Sequence, residues 1–408
     1  MKKTFNCVEL FAGGGGLALG AKKAGFRSVL ALEWEKNACQ TLRANANILF
    51  QDGALDRVVH EDVRNFDPRK ISDDFDILLG GPPCQPFSIG GQKKGYDDQR
   101  DLFPEYIRIL THGRPQAFLI ENVKGITSKR FKDYLEFIHL QLAYVDSVPV
   151  KVTDWNKQYE KLKALKAKNS PVAYKVYSKV LNAMDYGVPQ SRERLFIVGF
   201  KAGVNHAWNW PTPTHSLDAL LYDRYVSGEY YKRHGIKPHK VPEQLAKKVR
   251  QLEGAKPQTL AFRTVRDALD GLPEPRIGKS HPTIPNHVGI DGARAYPGHT
   301  GSPYDLPAKT LKAGVHGCPG GENMLAREDQ TVRYFSVRES ARLQTFPDDY
   351  VFVGSRSEAM RQIGNAVPVV LGEMLLSKIR HHLLNSGLQT KKIGGRIPKA
   401  SKRLELDI

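Results

Sequence analysis

The sequence is poor in cysteine: among 408 residues only Cys7, Cys39, Cys84 and Cys318 carry thiols. None lies in a C-x-x-C or other metal-ligand spacing, which argues against a disulfide framework and against a zinc site. Long apolar runs are missing too. No stretch approaches the roughly 18–20 uncharged apolar residues that a membrane-crossing helix needs, and Met1-Lys2-Lys3 leads into a strand-like run rather than a signal peptide. Acidic residues are the minority, 43 against 61 Lys and Arg, for a formal charge of +18. Such an excess favours a polyanionic partner, most simply nucleic acid, over the plainer reading of a merely soluble basic protein. The expectation is a soluble, metal-free protein of a reducing cytoplasm, monomeric by default. A hydrophobic content of 40% suffices for two domains, one of them formed from two separated pieces of chain.

From Phe5 to about Phe200, short apolar runs alternate with longer amphipathic stretches, the pattern of a parallel sheet covered by helices. Strands are predicted at Phe5–Leu10, Ser28–Leu32, Phe75–Leu79, Ala117–Ile120 and Leu195–Val198. The Lys-rich segment from Lys151 to Ser170 is predicted to be an inserted helix with a wet face. After Phe200 the chain turns to Pro, Gly, His and Tyr. Residues 201–330 therefore read as a second, smaller, loop-rich domain. Regular structure returns with a capping box at Ser336-Val337-Arg338-Glu339, in a helix that Pro347 is expected to end. A last helix should run from Pro368 to about Leu384, with Leu371, Leu375 and Ile379 on one face. Residues 331–384 would complete the first domain, and 385–408 form a basic tail. Internal repeats are absent.

Candidate chemistry gathers where strands end. Phe11-Ala12-Gly13-Gly14-Gly15-Gly16 follows the first strand and precedes a helix starting near Leu17, so its backbone can approach a ligand closely. Glu33 ends the second strand, where a carboxylate can accept from both hydroxyls of a ribose. The next residue, Trp34, suits stacking on adenine or packing in the core. Asp62 suits an adenine amino group or a helix cap. Gly80-Gly81-Pro82-Pro83-Cys84-Gln85-Pro86-Phe87-Ser88 begins where Ile77-Leu78-Leu79 ends, which puts a thiol at the ligand edge on a backbone restricted by prolines. An isolated cysteine is more often a small buried hydrophobe, but these flanks favour a nucleophile, given surroundings that stabilise thiolate. Gly90-Gly91-Gln92-Lys93-Lys94-Gly95 suits a lid or an ordinary surface loop. Glu121, closing Ala117-Phe118-Leu119-Ile120, is a candidate acid or hydrogen-bond anchor. Gln190, Arg192 and Arg194 share one face of an extended segment, suited to phosphate or base contacts or to surface ion pairs.

In this order, Phe-x-Gly-Gly-Gly, Pro-Pro-Cys-Gln (Pro82 to Gln85), Glu-Asn-Val (Glu121 to Val123), Gln-x-Arg-x-Arg (Gln190 to Arg194), Arg-Glu-x-x-Arg-Leu-Gln (Arg338 to Gln344) and Gly-Asn-Ala-Val-Pro (Gly364 to Pro368) resemble the motifs of bacterial DNA (cytosine-5)-methyltransferases. The resemblance spans Phe5 to Phe200 and about Thr331 to Leu384. It implies a Rossmann-like α/β sheet that binds S-adenosylmethionine, with residues 201–330 as a target-recognition domain on double-stranded DNA. By the same resemblance Phe11, Gly13, Gly14, Gly15, Glu33, Trp34, Asp62 and Leu102 would line the cofactor pocket, and Asn365 with Val367 would close it. Cys84 would be the nucleophile, Glu121 and Arg194 would grip a flipped cytosine, and Arg192 with Gln190 would support the catalytic site. A cognate restriction endonuclease would be a functional partner. The insertion after Lys151 exceeds the family's usual spacing without interrupting a motif.

Other readings explain less. A nicotinamide-dependent dehydrogenase would account for the glycine turn and Glu33 but gives Pro82-Pro83-Cys84 and Glu121-Asn122-Val123 no role. A transfer-RNA methyltransferase of the same family usually carries Cys-Phe-Thr in its recognition region, whereas Cys318 precedes Pro319. A non-catalytic DNA-binding relative would have no need of both Cys84 and Glu121.

Overall fold

The computed structural model describes residues 4–71, 74–83, 101–147, 154–204, 207–297, 300–313 and 323–386. Seven strands form the main sheet: β1 (Phe5–Leu10), β2 (Phe26–Glu33), β3 (Val58–His60), β4 (Ile77–Gly80), β5 (Ala117–Val123), β6 (Tyr174–Asn182) and β7 (Glu193–Lys201). Their order is β3-β2-β1-β4-β5-β7-β6. The first five are parallel, while β7 runs antiparallel to both β5 and β6. This is the Rossmann-like α/β sheet the sequence predicts, with two additions. β3 is only three residues long. β6 alternates Lys175 and Lys179 with apolar residues on the outer edge, where charge blocks further strand pairing.

The period of two along each strand divides the core between the sheet's two faces. Phe5, Cys7, Ile77, Leu79, Leu119, Phe196 and Val198 point to one face, which α1 (Gly16–Lys23) and the long C-terminal helix cover. Val8, Leu10, Leu78, Phe118, Ile120, Leu195 and Ile197 point to the other, beneath α4 (Phe103–Gly113) and α5 (Lys132–Ala143). Between β2 and β3 lie α2 (Lys36–Ala44) and α3 (Ala46–Leu49). The Lys-rich segment forms α6 (Trp155–Ala167), which packs Tyr159 and Leu162 onto Phe137, Leu140 and Tyr144 and leaves most of its lysines in water.

The middle of the chain holds short elements: β8 (His215–Ser216), α7 (Leu217–Tyr225), α8 (Glu229–His234), α9 (Glu243–Glu253), β9 (Leu260–Ala261), α10 (Val265–Leu269), β10 (Ser302–Pro303), β11 (Met324–Ala326) and β12 (Val332–Tyr334). Leu220, Tyr230, Tyr231 and Phe262 make a small core of their own. Asp305 accepts from Tyr230 (2.8 Å) and Arg266 (2.8 Å), tying this region together. The region is not packed apart, however. Val265, Ala268, Leu269, Ala308, Leu311 and Leu325 share one cluster with Leu42, Leu49 and Phe50 and with the returning chain, so the division at residues 200 and 330 does not fall at a break in the core.

The returning chain forms α11 (Val337–Leu343), α12 (Arg356–Asn365) and α13 (Val369–Asn385). The capping box at Ser336 and Glu339 is present. The helix stops before Pro347, at Leu343. Thr345 takes a left-handed conformation (φ 62), the Phe346 N–H donates to Ala341 O and the Thr345 N–H to Arg342 O. That is a Schellman termination with threonine where glycine is usual. α13 begins after Pro368, close to the predicted position, and buries Leu371, Leu375 and Ile379 against the sheet. Where α1 crosses it, a Cβ on Gly20 would come within 2.8 Å of the Glu373 nitrogen, so only glycine permits this approach.

Candidate active site

Because β1 to β5 are parallel, the residues that follow them gather along one edge of the sheet. At the β4–β5 end, Arg194 Nε donates to Glu121 Oε1 at 2.9 Å, and both side chains are largely shielded from solvent. The pairing register explains the meeting: Val123 lies opposite Arg194, and Glu121 opposite Phe196. A Cβ on Gly81 would stand 3.1 Å from Glu121 Oε2, so that oxygen lies against the backbone leaving β4. Asn122 Nδ2 donates to Pro82 O at 3.1 Å and its Oδ1 accepts the Val123 N–H, which fixes the course of Gly81-Pro82-Pro83 beside Glu121. Cys84, the proposed lid from Gly90 to Gly95, and Cys318 lie outside the described residues.

At the β1–β2 end, Glu33 Oε2 accepts the Gly13 N–H (2.7 Å) and Oε1 accepts the N–H groups of Trp34 and Glu35 (both 2.9 Å). Burial pushes the pKa of this carboxyl up, while the amide bonds pull against the shift. Phe11 (φ 57), Gly13 (φ 53) and Gly15 (φ 82) all occupy left-handed backbone, giving a tight turn. Cβ atoms added to its glycines would meet different neighbours. On Gly14 one would press on Phe352 and Gln362, on Gly15 on the Tyr350 hydroxyl, and on Gly16 on Val367 O, whereas Gly13 has only Phe11 O, 4.0 Å away. Three of the four glycines thus admit the returning chain, and Gly13 faces open space.

The end of α12 and the extended link that joins it to α13 (residues 366–368) are held by two buried side chains, Arg192 and Gln344, and Gln190 braces the backbone beside them. Arg192 donates to Leu311 O (3.3 Å), Gly364 O (2.7 Å) and Ala366 O (3.1 Å). Gln344 Nε2 donates to Ile363 O (2.7 Å) and Ala366 O (3.3 Å). Gln190 donates to Leu343 O and accepts from the Leu311 N–H. Asn365, the last residue of α12, is exposed, while Val367 is buried in the cluster that includes Leu17 and α13.

Comparison with known proteins gives the family. The family model for C-5 cytosine-specific DNA methylases matches residues 5–147 and 150–381. The chain belongs to that family. It is 32% identical over 393 residues to the type II methyltransferase M.PspPI of Psychrobacter sp. (strain TA137), covering 94% of this chain and 80% of that one. It is 31% identical over 375 residues to the type II methyltransferase M.NgoMIV of Neisseria gonorrhoeae, with 90% and 95% covered. Among solved structures, the S. pombe Dnmt2 methyltransferase superposes with a TM-score of 0.53 at 18% identity, over 94% of this chain and all of that one, a likeness of fold.

As a C-5 cytosine-specific DNA methylase the chain is a DNA (cytosine-5)-methyltransferase, of a family that uses S-adenosylmethionine. The β1–β2 end suits that cationic nucleoside. The Phe11–Gly16 turn contains no lysine or arginine for a phosphate. Trp34 is 63% exposed, so its indole is not spent on core packing. Glu9, which sequence reasoning passed over, is 3% exposed near Glu33, and its Oε2 has no hydrogen-bond partner among the described residues. The signal was a carboxylate inside the apolar run Val8-Glu9-Leu10 just before a glycine turn. Two other residues were missed, Tyr350, which donates to Gly14 O at 2.8 Å, and Gln344.

The remaining predicted residues fall into two groups. Phe11 and Leu102 are half-buried on the β4–α4 face of the sheet. Asp62 accepts from Arg64 through its backbone N–H (2.9 Å), Nε and Nη2, and this pairing lowers its pKa. It therefore caps its own turn. Arg192, expected to support the catalytic site, is 0% exposed and its guanidinium is engaged by backbone carbonyls.

Proposed function

We propose that this methylase transfers a methyl group from S-adenosylmethionine to carbon 5 of a cytosine flipped out of a specific duplex DNA sequence, through an adduct with Cys84. The observation that carries the reading is the Glu121–Arg194 pair, 2.9 Å apart and shielded, at the strand edge where Pro82-Pro83 leads to Cys84. Bound S-adenosylmethionine supplies an electrophilic methyl group. Glu33, Trp34, Phe11, Leu102 and the Gly13–Gly15 turn would hold it, with Asn365 and Val367 closing the pocket.

The protein's own task is to make carbon 5 nucleophilic. The Cys84 thiolate adds to carbon 6, and the electron pair of the 5,6 double bond is released toward carbon 5. Glu121 favours the addition by hydrogen-bonding or protonating ring nitrogen 3. Arg194, paired with the Glu121 carboxyl, would contact the base as well. After methylation a base removes the carbon-5 proton; its electron pair restores the double bond as the Cys84 sulfur leaves. A target inside a duplex is out of reach, so the cytosine must leave the stack, at a cost of about a few kcal/mol. The basic middle region is the proposed source of compensating phosphate and base contacts.

By likeness to the type II relatives, modification would protect DNA from an endonuclease of the same target. Purified protein should transfer labelled methyl groups from S-adenosylmethionine to duplex DNA, and Cys84→Ala should abolish transfer. A variant as active as the parent would refute the assignment. Bisulfite sequencing of DNA from cells expressing the gene identifies the modified base and its target.

A further inference from the structure

Arg192 and Gln344, which hold the junction of α12 and α13, and Gln190 beside them come from segments with different tasks. Gln190 and Arg192 lie just before β7, whose Arg194 pairs with Glu121. Both side chains bind Leu311 in the stretch that returns from the middle region, and their neighbours Pro189 and Ser191 pair with it too: Ala308 N donates to Pro189 O, Ser191 N to Ala308 O, and Thr310 Oγ1 to Ser191 O. Gln344 ends α11 and accepts the Val369 N–H at the start of α13. The contact between the end of α12 and the middle region is tight, since a Cβ on Gly364 would approach the Ala313 backbone to 2.7 Å.

Helix α12 leaves its last carbonyls without intrahelical partners. Among them, Gly364 O is met by Arg192 and Ile363 O by Gln344. A guanidinium at a helix C-terminus also offsets the negative end of the helix dipole. Arg192 has no carboxylate partner among the described hydrogen bonds and ion pairs, and three carbonyls take its place. A buried charge held in this way fixes the backbone around it, because the carbonyls can move only by leaving it unsolvated.

We propose that Arg192 is a positioning residue that holds the end of α12 and the link after it (residues 364–367) in the conformation closing the cofactor pocket, with Gln344 acting on the same junction through Ile363 O and Ala366 O. This rests on the assignment of the cofactor pocket above. Arg192 touches neither cofactor nor base; its effect reaches the cofactor through Asn365 and Val367.

The test is calorimetric titration of the intact protein with S-adenosylhomocysteine, without DNA, for the wild type, Arg192→Lys and Gln344→Met. Duplex DNA affinity without cofactor and thermal unfolding are measured on the same samples. A lysine reaches fewer carbonyls than the fork of an arginine, so Arg192→Lys should weaken cofactor-product binding roughly 10-fold. In turnover the same variant should raise KM for S-adenosylmethionine more than it lowers kcat. Gln344→Met should shift affinity in the same direction, with DNA affinity and unfolding temperature close to the wild type. Wild-type cofactor affinity in a folded Arg192→Lys variant overturns the inference. So does a parallel loss of cofactor binding, DNA binding and thermal stability, or failure of both variants to fold, since each marks general support of the fold. Should the wild type itself bind no S-adenosylhomocysteine, the pocket assignment fails instead.

Discussion

Two acids, Glu9 and Glu33, are buried at the β1–β2 end of the sheet. Glu33 has its carboxylate oxygens committed to three backbone N–H groups, an arrangement that favours the ionised form against burial. Glu9 has no such support: burial first, and the neighbouring Glu33 charge second, push its pKa well above the ordinary carboxylate range. An acid whose folded-state pKa is raised binds its proton more tightly in the folded chain. Its contribution to stability is therefore most favourable at low pH and is lost as pH rises from the unfolded value near 4.5 through the folded one. Glu9→Gln, which mimics the protonated acid, should gain stability relative to the parent at pH 8 and gain less at pH 5. Thermal unfolding of both proteins at the two pH values measures the difference. An equal effect at both would show that Glu9 is not held protonated.

At the scale of elements, the turn after β1 is shaped as much by the returning chain as by any ligand. Gly15→Ala combines a left-handed backbone (φ 82) with a collision on the Tyr350 hydroxyl, and overpacking of this kind costs about 1–3 kcal/mol beyond the conformational strain. Gly13→Ala meets open space and should cost less stability, while placing a methyl group where the cofactor is proposed to lie. Denaturant midpoints together with S-adenosylhomocysteine affinity separate the two; a Gly15→Ala protein as stable as Gly13→Ala would remove the packing role of Tyr350. These glycines were legible in the sequence as a turn, but their partners, more than 300 positions away, were not. β1 was predicted residue for residue because an apolar run, interrupted only by Asn6 and Glu9, ends at that turn. β6 escaped because Lys175 and Lys179 interrupt its apolar pattern, as an edge strand allows. The shared face of Gln190, Arg192 and Arg194 follows from strand periodicity alone, whereas the burial of Arg192 depends on a link about 170 positions downstream.

Across the whole molecule, the chain leaves the main sheet after β7, builds the middle region and returns through α11–α13, and the return supplies one wall of the cofactor end. The middle region is anchored by Val265, Ala268, Leu269, Ala308 and Leu311 in the same core that α12 and α13 join. The region proposed to engage DNA and the link proposed to close the cofactor pocket therefore share a foundation. In the proposed mechanism the Glu121–Arg194 pair serves the addition of Cys84 to a flipped cytosine, while the glycine turn and the link hold the methyl donor for the step that follows. A duplex carrying 5-fluorocytosine at the methylated position tests that addition directly, because fluorine replaces the proton whose removal would release the enzyme. Incubated with S-adenosylmethionine and this duplex, the protein should give a species stable to denaturing electrophoresis, whose adduct mass spectrometry places on the Cys84 peptide. An active preparation that forms no such species, or carries the adduct on another residue, would contradict the account.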